Sequence, residues 1–279
     1  MIGICTDSNG QLPRSLIDRY GLEVVPLTVT VDGAAYLEGE DLDADQFYAF
    51  FTDGRSPSLT TAAPSPGQFA AAYRRLAGRG ATEILSVHIG SELSGTLNAA
   101  RIGAEQVAVP VRLVDTHAAS FIVGCAVWEA ADTVAGGGAI EDAVAAAQSV
   151  AEGCGNIFVV GTLALARAGG RLHVDSADEP PVPILRLADG KLETIGHAPT
   201  AAAAAAIMAD AVPRSTGALR IGVGDSDPSS VPVADELARR LNASPGKHEI
   251  VRYRVGPSVG AHTGPGTAGM VFFERPVPS

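Results

Sequence analysis

"EILSVHIGSELSGTLNAARIGAEQV", residues 83–107, is the stretch whose reading decides the fold. Its first seven residues are an apolar, β-branched run of strand length. Its last eleven place small apolar residues at helical spacing. Between them "GSELSGT" is a turn of glycine and hydroxyl residues. Strand, polar turn and helix form the repeating unit of parallel α/β sheets, which take ligands at the carboxyl ends of their strands.

The same alternation runs outward in both directions. Upstream, "IGIC" (2–5) reads as a strand, and Pro13 opens the helix "PRSLIDRY". "EVVPLTVTV" (23–31) is extended, and "DLDADQFYAFF" (41–51) is a helix with acidic residues in its first turn. Ser65 and Gln68 form a capping box with Pro66 at the first helical position, ahead of "FAAAYRRLAGRG". Downstream, "VRLVD" (111–115) is a strand, "FIVGCAVWEAADTVAG" (121–136) a helix, and a further helix follows the glycines at 136–138. After residue 153 the pattern changes. Two extended runs flank Asp189-Gly190, a hairpin signal, and Thr200 caps an alanine-rich helix. "ALRIGVGDS", "PVADELARRL", "KHEIVRYRV" and "GMVFFE" complete a second α/β region with more antiparallel character. The expected organisation is therefore two domains, residues 1–153 and 154–279.

Composition narrows the function. A length of 279 residues with 46% hydrophobic content supplies a sizeable core. The formal net charge of -11 argues against a nucleic-acid surface or an anionic membrane, because both are met by clustered Lys and Arg. Any anion bound here must be held by local dipoles and a few placed side chains. The three cysteines, Cys5, Cys125 and Cys154, are far apart in sequence, and Cys5 and Cys125 sit in apolar runs, so they read as reduced thiols. "MIGICTDS" has no basic leader region, and no window offers about 18 uninterrupted apolar residues. A cytoplasmic location without stable membrane insertion is expected.

The hydroxyls Ser91, Ser94 and Thr96 admit three chemistries. As a nucleophile, neither serine sits in a G-x-S-x-G elbow, although His88, His117, His262, Asp7 and Asp115 could complete a triad. "GDSDPSS" (224–230) likewise resembles a hydrolase fragment or an ordinary helix cap. As an anion cradle, Ser94, Gly95 and Thr96 lie where free backbone amides and the helix dipole favour a carboxylate or phosphate. As a cap, Ser94 serves only its own helix. There is no phosphate loop and no G-x-G-x-x-G after a strand, and H-x-x-x-H and C-x-x-C are missing, so neither a cofactor nor a metal is expected.

Beyond the turn, "SELSGT" is similar to the S-x-L-S-G-T signature of the DegV family of bacterial lipid-binding proteins. Further segments agree in order. They are "TDSNGQLP", "EVVPLTVTVDGAAYLEGED", "SLTTAAPSPGQF" (resembling T-S-Q-P-S-P), "LVDTHAAS", "LALARAGGRL", "PILRLADGKL" and "GAHTGPGTAGM" (resembling H-x-G-P-G). They span residues 3 to 270. The resemblance implies a two-domain α/β fold, with an N-terminal Rossmann-like parallel sheet, a C-terminal mixed α/β domain and a ligand tunnel between them. It implies a long-chain fatty acid as ligand, its carboxylate held by Thr61, Ser94 and Gly95 with His262 nearby, and Ser91 and Thr96 as additional candidates. Phe121, Ile122, Val123 and Ile184 are candidate tunnel walls.

Members of this family resemble carrier subunits that present the carboxylate to a separate ATP-dependent fatty acid kinase, with no turnover of their own. A serine hydrolase acting on acyl esters and a lipid sensor without a kinase are the alternatives. Arg171 is the candidate partner contact. Two departures stand out: Ala62 and Ala63 replace the Ser-Gln of the family segment, and Pro199 stands where the family carries an arginine that would meet the kinase.

Overall fold

The computed structural model describes residues 1–161, 182–188, 191–213, 218–244 and 248–275. These form two compact units. Met1–Asp41 and Ser58–Gly153 make the first, and Leu42–Pro57 and Cys154–Ser279 the second.

In the first unit the strands are β1 (Ile2–Asp7), β2 (Glu23–Val25), β3 (Thr28–Val31), β4 (Ala34–Leu37), β5 (Leu59–Ala62), β6 (Glu83–His88) and β7 (Val111–Asp115). A parallel sheet runs in the order β2-β1-β6-β7. Five consecutive residues are buried in both β1 and β6, so both sheet faces are covered, and Thr6, Asp7, Ser86 and His88 are buried among their apolar neighbours. The helix Pro66–Gly78 begins with the Ser65–Gln68 capping box and buries Phe69, Ala72, Tyr73 and Leu76. They pack with Cys5, Ile84, Ala99 and Ala100 in one cluster, which ties the helix Thr96–Ala104 to the sheet. The helix Phe121–Ala135 is buried from Phe121 through Ala131, as its all-round apolar sequence requires. A small antiparallel sheet, β4-β3-β5, pairs Thr61 with Val29.

The second unit holds β8 (Gly155–Val159), β9 (Val182–Ala188), β10 (Lys191–Ala198), β11 (Leu219–Asp225), β12 (His248–Arg254) and β13 (Ala268–Glu274), in the order β10-β9-β8-β13-β11-β12. Among the described strands of this sheet, β11 and β12 are the parallel neighbours and the other pairs are antiparallel. The β9–β10 pair places Ala188 opposite Lys191, as a hairpin requires, while Asp189 and Gly190 lie outside the described residues. Ile157, Val159, Ile184, Met208, Ile221, Val223 and Leu237 anchor its core. Thr200 caps the helix Ala201–Asp210 by accepting from the Ala203 amide at 3.2 Å. Among the described residues, no helix is long and apolar enough to cross a membrane.

Candidate functional site

β6 ends at His88, and the chain then turns back on itself. The amides of Leu93 and Ser94 both donate to Gly90 O, at 2.9 and 3.1 Å. Gly95 caps the helix Thr96–Ala104 through its backbone, accepting from the Ala99 amide at 3.0 Å. The Ser94 and Thr96 hydroxyls lie 2.8 Å apart, and Ser94 Oγ accepts from the Thr96 amide at 3.3 Å. Thr96 is buried, Ser94 half-buried, Gly95 exposed. A helix start leaves its first amides without intrahelical acceptors, so they gather partial positive charge here.

Space at the turn is the second element of the geometry. A Cβ placed on Gly95 would have a single neighbour within 4 Å, the Ala63 methyl at 3.9 Å. Ala63 follows β5, whose exposure alternates so that Leu59, Thr61 and Ala63 share the more buried face. Thr61 is thus presented on the face whose next side chain borders Gly95. The structure brings the Thr61 segment and the Ser94-Gly95 turn together within one unit.

Ser91 has a supporting role at the rim. Its amide donates to Asp115 Oδ1 at 3.2 Å, and the His117 amide donates to the same oxygen at 3.0 Å. Burial pushes the Asp115 carboxyl up, but the hydrogen bonds from Ser91 and His117 and the nearby imidazole outweigh it and hold the group below the ordinary carboxylate range. Glu92 Oε2 stands 3.3 Å from His117 Nδ1. Glu92, Asp115 and His117 bring ligand atoms within 4.8 Å of one another, the one grouping of this kind among the described residues, with Glu92 and His117 exposed.

Beneath the turn lies a relay that joins two of the triad candidates named from the sequence, Asp7 and His88, to Ser86 and Tyr73, which were not among them. Asp7 Oδ2 is 2.9 Å from His88 Nδ1, His88 Nε2 is 2.6 Å from Ser86 Oγ, and Ser86 Oγ is 2.9 Å from Tyr73 Oη. Ser–His–Asp is the order of a hydrolase triad, yet Asp7, Ser86, His88 and Tyr73 are all fully buried. A nucleophile must meet substrate, and Ser86 meets only protein. The relay therefore braces β1, β6 and the helix Pro66–Gly78 beneath the turn. The neighbouring Cys5 thiol is pushed up to about 12 by burial, which keeps it protonated and unreactive. Spacing carried a signal here, because Ser86 and His88 lie two apart on a strand and so share a face. Asp7 is brought to His88 by the long-range parallel pairing of β1 with β6.

In the second unit, half-buried His262 sits on the helix Pro257–Thr263. The helix ends at Gly264, with φ 73° and ψ -178°, and Gly266 follows at φ 79°; both are conformations that favour glycine. "GDSDPSS" supports this turn. Asp227 Oδ1 accepts from the Gly266 amide at 2.6 Å and from Ser226 Oγ at 2.7 Å, and Ser226 Oγ accepts from the Thr267 amide at 2.9 Å. Those hydroxyls are committed to the fold. Phe121, Ile122, Val123 and Ile184 are buried, the first three on the helix Phe121–Ala135 and the last on β9. Pro199 is exposed, and Arg171 lies outside the described residues.

A family model described as "Uncharacterised protein, DegV family" matches residues 1–275. A DegV domain-containing protein of Streptomyces coelicolor is 36% identical over 98% of this chain and 99% of its own length. Among solved structures, a fatty-acid-binding DegV family protein from Thermus thermophilus superposes with a TM-score of 0.85 at 30% identity, covering 98% of this chain and 99% of its own. A stearic-acid-binding protein from Eubacterium ventriosum shares the fold, with a TM-score of 0.84 at 19% identity over 99% of each chain.

Proposed function

Because the chain belongs to the DegV family, we propose that it binds a long-chain fatty acid non-covalently and shields it. The carboxylate sits at the Ser94-Gly95 turn. The observation that carries this reading is the open face of Gly95, met among the described residues beyond its chain neighbours by the Ala63 methyl alone, at a helix start with two hydroxyls 2.8 Å apart. Thr61 and Ser94 donate to the carboxylate, and Thr96 holds Ser94 in place. Such charge-assisted hydrogen bonds each contribute about 1.5–3 kcal/mol. The contribution of His262 rests on the family resemblance alone. The acyl chain supplies the remainder, at about 0.8 kcal/mol per buried methylene.

The buried setting of Ser86 favours a carrier over a hydrolase. In the fuller form of the proposal the protein is cytoplasmic and hands its carboxylate to a separate ATP-dependent kinase. Exposed Pro199, where the family arginine would stand, favours instead a lipid sensor with no such partner. A pull-down from the native host separates the two, since only a carrier retains an ATP-binding kinase subunit.

The binding test is direct. Mass spectrometry of an organic extract of the purified protein is expected to find long-chain fatty acid. The Thr61→Ala/Ser94→Ala double variant is expected to fold and lose it. Full retention in that variant rejects the head-group assignment, and an extract without fatty acid, from protein that also fails to bind added stearic acid, rejects the function.

A further inference from the structure

Residues 42–57 leave the first unit and belong to the second, and they return through Ser58 into β5, which carries Thr61. Ser58 is fastened on re-entry: its amide donates to Asp32 Oδ1 at 2.9 Å, and its carbonyl accepts from the Asp32 amide at 2.9 Å. Within the excursion lies the helix Ala44–Ala49, closed by an Asp43–Gln46 capping box. Its aromatic pair, Phe47 and Tyr48, is buried and packed edge to face at 5.0 Å.

Those rings press on the helix that bears His262. A Cβ on Gly260 would fall 2.5 Å from Tyr48 Oη and 2.7 Å from Phe47 Cε1, so the contact exists only because residue 260 has no side chain. Tyr48 Oη also donates to Val255 O at 3.0 Å, just ahead of the helix. Arg254 adds a charged tie, to Asp45 at 2.7 Å and Asp225 at 2.9 Å. A seven-residue helix has little stability of its own and takes its orientation from such anchors. Residues 260 and 262 are separated by about 200° around a helix, so the rings back the face opposite His262.

Resting on the fatty-acid reading above, we propose that Tyr48 and Phe47 are positioning residues for His262. They form a strut that fixes the direction of the imidazole without touching the ligand.

Stearic acid affinity, thermal midpoint and the His262 ring-proton NMR signal are to be measured in the full-length delipidated protein. Gly260→Ala and Tyr48→Ala are expected to weaken affinity about tenfold and to shift the His262 signal before any lipid is added. Tyr48→Phe keeps the ring, folds, and weakens binding less than Tyr48→Ala. Wild-type affinity and an unmoved His262 signal in folded Tyr48→Ala and Gly260→Ala overturn the strut. Should both of those variants fail to fold, wild-type affinity and an unmoved signal in Phe47→Leu, which removes one ring of the strut, overturn it. Unchanged affinity in His262→Ala overturns the histidine's role together with the strut that depends on it, while leaving copurified fatty acid as the separate test of lipid binding.

Discussion

A carboxylate is recognised at the scale of single atoms, and Gly95 isolates that recognition from the fold. Its φ of -70° and ψ of 2° suit any residue, and among the described residues beyond its chain neighbours a methyl there meets Ala63 alone, at 3.9 Å. Gly95→Ala is therefore expected to change stability by no more than about 1 kcal/mol, the scale of glycine and cap substitutions. It places a methyl where the head group is to sit, so fatty acid affinity is expected to fall about tenfold or more. Chemical denaturation and a fluorescent fatty acid displacement titration read the two effects separately. Equal affinity in the variant would move the head group elsewhere. The hydroxyls of this turn were legible in the sequence because Ser, Gly and Thr at a strand-to-helix junction have few uses. Ala63 was not, because its importance lies in what it leaves empty. The Ser86–His88–Asp7 relay was half legible, through strand alternation, and its burial follows only from packing on both faces of the sheet.

Among the secondary elements, capping residues and strand lengths announced themselves. The Ser65 and Thr200 caps stand where their sequences place them, and β1, β6 and β11 are covered on both faces. "GDSDPSS" was ambiguous, since a strand end followed by Asp and Ser suits a catalytic turn or a brace equally well. Its role emerges from Asp227, whose partner is a glycine amide 39 residues away. Burial pushes the Asp227 carboxyl up, but hydrogen bonds from Gly266, Ser229 and Ser226 outweigh it, and the group lies below the ordinary carboxylate range. A carboxyl with a depressed folded pKa stabilises the protein above its unfolded value, about 3.9, and loses that contribution as pH falls through the lower folded value. Asp227→Asn is thus expected to lower the thermal midpoint at pH 7, with the gap from wild type closing progressively below about pH 4. A gap independent of pH would show that the carboxylate charge has no part in holding the His262 turn.

The whole molecule shows what alternation of strands and helices conveys and what it omits. Strand-helix repeats implied a parallel sheet in the first half, and the hairpin signal implied antiparallel neighbours in the second; both sheets are present. That residues 42–57 belong to the second unit was invisible, because a short capped helix carries no mark of the surface it will pack against. Charge is the remaining property at this scale. With a formal net charge of -11, the long-range field of the protein repels a fatty acid anion, while the proposed grip is local: helix-start amides and hydroxyls within a few ångströms. Salt screens the first far more than the second, since the Debye length shrinks from about 30 Å at 0.01 M to about 10 Å at 0.1 M. Stearic acid affinity is therefore expected to hold or rise on adding sodium chloride, the reverse of a binder that relies on a basic patch. The same ligand should stabilise the fold by mass action, about 2.7 kcal/mol at a hundredfold excess over Kd, or roughly 5 °C in thermal midpoint for a chain of this size. Thermal melts of delipidated protein with and without stearic acid, at low and moderate salt, measure both quantities. A midpoint that stearic acid leaves unmoved at either salt concentration rejects a specific site, and an affinity that collapses with added salt rejects local dipoles as the source of the grip.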